Sequence, residues 1–371
     1  MVPNIIFILL DGSRYDRLHI SKKFLDLCKN GFLLNNVTAA YPYTFSAMNA
    51  IFTGLFGKEN GVDAYYKMFR LHNSVPFLPE ILKKNGFFTA CNLISDKVIS
   101  SRGFHIHTSH NEYEDDLKQK HPELLKNWFS EAGERPLFAF LQFSKIHTVT
   151  VSEVLKKYDW DNQKYYDNKI SNLENYDKAF LDAVDYAEII KQTIERLGKL
   201  ENTILIFFAD HGTGIGERFG ERNYGVFTYE ETIRTFYLFM GPDILKNKTC
   251  TKLFSSTELF PTLLDLAGVV SDMGIKPQGF ADYIKGKNES LQTDKYCFSE
   301  TGGLQGPFPS PKTPNVFCIK NSKYKLVYYK TPNNFELFNL ENDPMEKNNL
   351  YGQDLEIQEI LKEKLIEWIN R

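Results

Sequence analysis

The sequence predicts an α/β fold, a mostly parallel central sheet flanked by helices, with a small C-terminal α+β subdomain. Three observations lead there. Short apolar runs alternate with amphipathic patterns, as they do where parallel strands are joined by crossover helices. Those runs do not alternate with polar residues, so their strands are buried on both faces. After about residue 286 the texture changes to closely spaced short strand patterns. The domain division expected from this is 1–286 for the main domain and 287–371 for the subdomain.

The elements follow in order. NIIFILL (Asn4–Leu10) is a double-buried strand that ends at Asp11. FLDLCKNGF reads as a helix stopped at Gly31. TFSAMNAIF reads as a helix entered through Thr44, whose hydroxyl sits where an N-cap would. FLPEILKKNGFFTACNLI gives a helix, a stop at Gly86 and a strand. PLFAFLQFS (Pro136–Ser144) and NTILIFFAD (Asn202–Asp210) are further strands, separated by a long amphipathic helix in NYDKAFLDAVDYAEIIKQTIERLGKL. STELFPTLLDLAGV is a short helix ending at Gly268. KYCFSE, NVFCIKN and YKLVYY form short antiparallel strands. The last helix carries Ile357, Ile360, Leu361, Leu365, Trp368 and Ile369 on one stripe, which packs back onto the body.

Composition narrows the function. The 371 residues exceed a single core, and 42% hydrophobic with 25% charged residues is ordinary for a globular chain. The net charge of −3 gives no basic face for nucleic acid. No apolar run approaches the ~20 residues of a membrane span. The N-terminal run is short, lacks a basic leader and a cleavage site, and is expected to be a strand in a cytoplasmic protein. Five cysteines, odd in number and widely spaced, fit free thiols in a reducing compartment better than a disulfide or zinc framework.

Three strands aim polar groups at one sheet edge. Asp11 follows the first, His147 lies a few residues past another, and Asp210-His211-Gly212 follows a third. In an open parallel sheet, ligands bind at the carboxyl edge of the strands. Two carboxylates, an imidazole and the Thr44 hydroxyl suit a divalent metal such as zinc or manganese. Taken singly, each has an ordinary alternative: an Asp caps the next helix, a His lies on the surface, a Thr caps a helix.

The stretches PNIIFILLDGSR, TFSAMNAIFTGLFGKENGV, LQFSKIHT, NTILIFFADHG, YEETIRTFYLF, ELFPTLLDLAGV and NNFELFNLENDPMEKNNL stand in the order seen in sulfatases. The chain resembles the sulfatase branch of the alkaline phosphatase superfamily over nearly its whole length. That resemblance implies an alkaline-phosphatase-like sheet and one divalent metal ion (Mn, Zn or Ca) held by Asp11, Thr44, Asp210 and His211. Sulfatases carry C-x-P-x-R before a helix ending in Thr-Gly, and the Cys becomes formylglycine. Counted back from Thr53-Gly54, that Cys position is Thr44 and the Arg position is Met48. Threonine here is similar to nucleotide pyrophosphatase/phosphodiesterases, lipoteichoic-acid synthases and phosphoethanolamine transferases, where the hydroxyl attacks phosphorus.

Other departures point the same way. Gly12 replaces the second Asp of the usual pair, and Ile94, Asp96 and Gly225 stand where sulfatases hold the sulfate with cationic residues. No D-x-x-x-H element for a second ion is present. The expectation is a metal-dependent phosphoester hydrolase or phosphotransferase. Thr44 is its nucleophile, His147 assists the leaving group, and Arg14, Lys145, Arg218 and Arg222 are candidate substrate contacts. The substrate would be a small anionic ester such as a phosphorylated glycan or head group. Three alternatives remain open: a sulfatase working without formylglycine, a soluble transferase of a phospho-group to a glycan or head group, and a non-catalytic binding module.

Overall fold

The computed structural model describes residues 2–67, 70–146, 160–269, 279–288, 295–302, 306–308 and 312–371. A strand that is apolar at every position needs cover on both faces, and β1 (Asn4–Leu10) has it. Ile5, Phe7 and Leu9 pack into one cluster with Met48, Ile51 and Phe52 of the Thr44–Thr53 helix. Ile6, Ile8 and Leu10 pack into a second cluster with the Leu117–Ala132 and Lys169–Arg196 helices.

The rest of the central sheet is β2 (Phe32–Thr38), β3 (Phe88–Leu93), β4 (Ile106–Ser109), β5 (Leu137–Phe143), β6 (Thr203–Phe208), β7 (Arg234–Met240), β8 (Lys248–Cys250) and β9 (Phe254–Ser255). Its order is β4-β3-β5-β1-β6-β7-β2-β8, with β9 also pairing β2. β1 lies parallel between β5 and β6, with Leu10 opposite Phe143 and Leu9 opposite Phe208. The carboxyl ends of these three strands therefore meet at one edge. β7 is antiparallel to both neighbours, so the sheet is mixed though mostly parallel. Two consequences follow. The segment entering β7 lies at the same edge as the segment leaving β6, and so does the segment leaving β2.

The C-terminal sheet is antiparallel, in the order β10 (Cys297–Thr301), β11 (Val316–Lys320), β12 (Tyr324–Tyr329), β13 (Asn334–Asn339). Three of its strands were expected; β13, six residues long like β12, was not. The last helix, Glu356–Asn370, lays Ile357, Leu361, Leu365, Trp368 and Ile369 against Phe317, Ile319, Leu326 and Leu337. Among the described residues, no helix is long and apolar enough to cross a membrane.

Phe7 is the hub of the first core cluster. Its ring stacks on Phe208 (centroids 3.9 Å apart) and also meets Phe52, Phe138 and Phe140. Replacing it leaves a cavity that rigid neighbours on two strands and a helix cannot close. Phe7→Ala is expected to cost about 3–5 kcal/mol of unfolding free energy in urea titration. A loss under about 1 kcal/mol would contradict this account of the core.

Candidate metal centre and nucleophile

Asp11 follows β1 directly, and its N–H donates to the Phe143 carbonyl at 3.2 Å, which continues the ladder one residue past the strand. Gly12 turns the chain at φ +75°, a conformation that suits glycine. A Cβ there would also lie 2.8 Å from Thr213 Oγ1. That is a physical reason for glycine where a second Asp is usual. Thr213 Oγ1 donates to the Gly12 carbonyl at 2.9 Å, and Tyr176 OH donates to the same carbonyl at 3.1 Å. The loops after β1 and β6 are thus pinned together.

Asp11, Asp210 and His211 are all buried, and one ligand atom from each falls within a 4.8 Å group. His211 Nε2 lies 3.6 Å from Asp11 Oδ1 and 3.6 Å from Asp210 Oδ2. Its Nδ1 is 2.7 Å from the Gly212 carbonyl. A carbonyl only accepts, so Nδ1 carries the proton and Nε2 presents its lone pair to the carboxylates. Asp210 Oδ1 accepts the His211 N–H at 2.9 Å, while Oδ2 is buried with no hydrogen-bond partner among the described residues. Burial pushes the Asp210 carboxyl up to about 7, against the pull of hydrogen bonds that include one from Thr44. Oxygen and imidazole donors converging around an orphaned buried carboxylate oxygen fit a divalent cation.

The Thr44 hydroxyl completes the group. Its Oγ1 lies 3.2 Å from His211 Nε2 and 3.4 Å from Asp11 Oδ1. The expected cap role is corrected here. Tyr43 is the N-cap, with extended backbone and no side-chain cap bond, and Thr44 is the first helical residue. Its hydroxyl is therefore turned to the site, while the first helical amides stay outside the helix's own ladder.

The candidate contacts fare differently. Arg14 is buried, and its guanidinium bonds Asp16 (2.8 and 2.9 Å), Glu217 and the Thr213 carbonyl. Arg218 donates to Glu231 at 2.9 Å and to the Met345 and Glu346 carbonyls, with its guanidinium over the Tyr229 ring. These cations tie loops together: the guanidinium of buried Arg14, like that of half-buried Arg218, satisfies several donors at once. Lys145 Nζ donates to the Glu112 carbonyl at 2.6 Å, and Arg222 lies over the Tyr165 ring. His147 lies outside the described residues. Of the positions where sulfatases carry cations, Met48 is in the core, Asp96 is exposed, and the Gly225 carbonyl accepts from Thr301.

Two site residues were not anticipated. Gln142 of β5 donates to Asp11 Oδ2 at 2.7 Å, and its own oxygen accepts the Ile94 N–H at 3.0 Å. The amide orients Asp11 so that Oδ1 faces Thr44 and His211. A lone glutamine in the apolar run LFAFLQF was the available signal. Tyr224 packs its ring on His211, with centroids 4.6 Å apart. Nothing in its loop sequence marks it.

Comparison with known proteins accords with this geometry. The Sulfatase family model matches residues 3–269, and the model described as N-sulphoglucosamine sulphohydrolase, C-terminal, matches 221–371. Arylsulfatase K of Mus musculus is 26% identical over 212 residues, 56% of this chain and 37% of that protein. This chain thus spans little more than a third of that relative's length. A putative sulfatase from Bacteroides thetaiotaomicron superposes with TM-score 0.83 at 18% identity, covering 100% of this chain and 92% of that one. The phosphonate monoester hydrolase of Agrobacterium radiobacter superposes with TM-score 0.77 at 15% identity, covering 98% and 95%. With a family model spanning β1, the Thr44–Thr53 helix and the loops that carry Asp11, Asp210 and His211, the chain belongs to the Sulfatase family.

Proposed function

We propose that this protein hydrolyses a small anionic ester through Thr44. The observation that carries this is the convergence of the Thr44 hydroxyl on Asp11, Asp210 and His211, within 3.2–3.4 Å of two of them. A divalent ion held by Asp11, Asp210, His211 and the Thr44 oxygen would supply positive charge where negative charge develops. In the ion-free site the Thr44 hydroxyl donates to Asp11 Oδ1 at 3.4 Å; with the ion bound, that proton would leave to solvent, because coordination takes the lone pairs of Asp11 and His211. Thr44 Oγ1 attacks the central atom of the ester and forms a covalent intermediate as the ester oxygen departs. The leaving oxygen takes up a proton, for which His147 is the candidate donor. Water then cleaves the intermediate and restores the Thr44 hydroxyl. The amides at the start of the Thr44–Thr53 helix add a positive partial charge for the transferred group.

Two ester classes are supported by different observations. The relatives named above as sulfatases favour a sulfate ester. The residues of this chain favour a phosphoester. Thr44 cannot become formylglycine, and Met48, Ile94, Asp96 and Gly225 replace the cations that hold sulfate. We favour the phosphoester. A purified-enzyme comparison of aryl sulfate, aryl phosphomonoester and aryl phosphodiester decides between them. A higher kcat/KM for the sulfate than for either phosphoester would reverse the assignment.

Thr44→Ala is expected to abolish turnover, a loss of many powers of ten, and Thr44→Ser to retain part of it. Because the Thr44 hydroxyl caps nothing, stability should move by less than the ~1 kcal/mol of a lost cap. A Thr44→Ala protein with near wild-type turnover would remove the nucleophile from this reading. Asp210→Ala is expected to bind no metal in elemental analysis while keeping its fold, since stability resides in the buried strands.

The raised Asp210 carboxyl also gives two pH signs. In the metal-free protein it holds a proton between its unfolded value, about 4, and about 7. This contribution to stability is full below about pH 4 and lost as pH rises through 7. Metal binding runs the other way. Below about pH 7 the ion must displace that proton, so the apparent dissociation constant should rise up to about tenfold per unit of acidification. Affinity flat from pH 5 to 8 would show that Asp210 is not a ligand.

A further inference from the structure

The four-residue turn of helix at Glu230–Ile233 touches both halves of the site without lining it. Because β7 is antiparallel to β6, this turn sits where Asp210 and His211 leave β6. The Gly212 N–H donates to the Thr232 carbonyl at 2.8 Å, and the Ala39 N–H donates to the Ile233 carbonyl at 2.7 Å. Ala39 follows β2 and opens the loop that leads to Thr44. Gly212 is seated so closely that a Cβ there would lie 2.2 Å from the Glu231 carbonyl oxygen. One turn thus sets the His211 segment and the Thr44 segment relative to each other.

The turn is held in place from the C-terminal sheet. Lys320 of β11 reaches both Glu230 oxygens at 2.8 and 2.7 Å, and Lys325 of β12 reaches Oε1 at 3.3 Å. Lys325 also pairs with Glu346 at 2.8 Å, and Glu346 Oε2 accepts the Glu230 N–H at 2.7 Å. All four side chains are buried. Replacing such a buried ionic group by apolar residues is often neutral or stabilising, so cohesion alone is a weak reason for it. What paired charges supply, and an apolar seam does not, is a fixed distance and direction between partners.

We propose that Glu230 is a positioning residue. The Lys320–Glu230–Lys325–Glu346 quartet holds the Glu230–Ile233 turn against Gly212 and Ala39, and so makes the geometry of His211 and Thr44 depend on the C-terminal sheet. This rests on Asp11, Thr44, Asp210 and His211 being the metal-binding group, and not on which ester is cleaved.

The test uses the full chain carrying Glu230→Gln together with Lys320→Met, which leaves the Lys325–Glu346 pair balanced. Two quantities are measured: amide exchange in the metal-free protein, and Mn²⁺ affinity by chelator competition. The expected result is at least tenfold faster exchange at Gly212 and Ala39, with Ile319 protection in β11 retained, and at least tenfold weaker Mn²⁺ binding. A folded double variant with both quantities within twofold of wild type would reduce the quartet to a structural joint and overturn the proposal. Glu230→Asp keeps the charge and shortens the side chain by one methylene. It is judged by the same two quantities should the double variant not fold. Wild type that binds no Mn²⁺ would count against the metal reading, and the exchange arm would still decide the positioning role.

Discussion

Two carboxylates placed side by side where water cannot reach them set the terms for the rest of the molecule. Asp11 and Asp210 leave adjacent parallel strands at matching register, so the sheet itself brings them together. Neither can move apart without breaking the ladder between β1 and β6. Two buried negative charges this close are unfavourable unless a cation or a proton intervenes. The nearby guanidinium of Arg14 does not help, because it is spent on Asp16, Glu217 and a carbonyl. The strain is relieved by the proton that burial leaves on Asp210 or by an ion in its place. The surrounding contacts, Gln142 on Asp11 and the Gly212 carbonyl on His211, aim lone pairs at the shared space.

The antiparallel strand makes this arrangement possible. In an all-parallel sheet, each strand delivers one loop to the carboxyl edge and takes one from the other side. β7 reverses that, delivering its entering segment to the edge, and β2 beyond it is parallel to β6 again. The loop after β2 that leads to Thr44, the turn before β7 and the loop after β6 consequently touch one another. The C-terminal lysines then find a carboxylate on a turn that already holds both sides of the site.

What the sequence made legible follows from how locally each feature is encoded. The double-buried strands were plain, because continuous apolar runs are a property of neighbours in the chain. The residues directly after them, Asp11, Asp210 and His211, inherited that clarity. Gln142 left a trace, a polar residue inside an apolar strand, but its meaning required knowing that β5 lies beside β1. The loop-tying contacts of Arg14 and Arg218 were hidden, because several of their partners are distant in sequence. Glu217 is 203 residues from Arg14, and the Glu346 carbonyl is 128 from Arg218. β2, β4 and β7–β9 went unannounced, as did the Leu117–Ala132 helix. β4, β8 and β9, of four, three and two residues, have too few positions to show a period, whereas β2 and β7 are seven residues long and lie inside the sheet.

The register of the Thr44–Thr53 helix shows how one residue separates structure from chemistry. A threonine at the N-cap turns its oxygen toward the second or third helical amide and commits a lone pair there. Here Tyr43 occupies the cap, extended at φ −159° and ψ 149°, and contributes no side-chain bond to the helix end. Thr44 is one position further on, where side chains lean back past the N-terminus. That direction takes its hydroxyl toward the strand ends and to within 3.2 Å of His211 Nε2. The cap residue thereby gives the helix start no side-chain bond, and the Thr44 hydroxyl is turned to Asp11 and His211. Both are disadvantages for a helix considered alone. The buried face compensates: Met48, Ile51 and Phe52 anchor the helix in the core below Phe7. The tertiary packing can therefore support a helix terminus whose polar groups are left for a ligand.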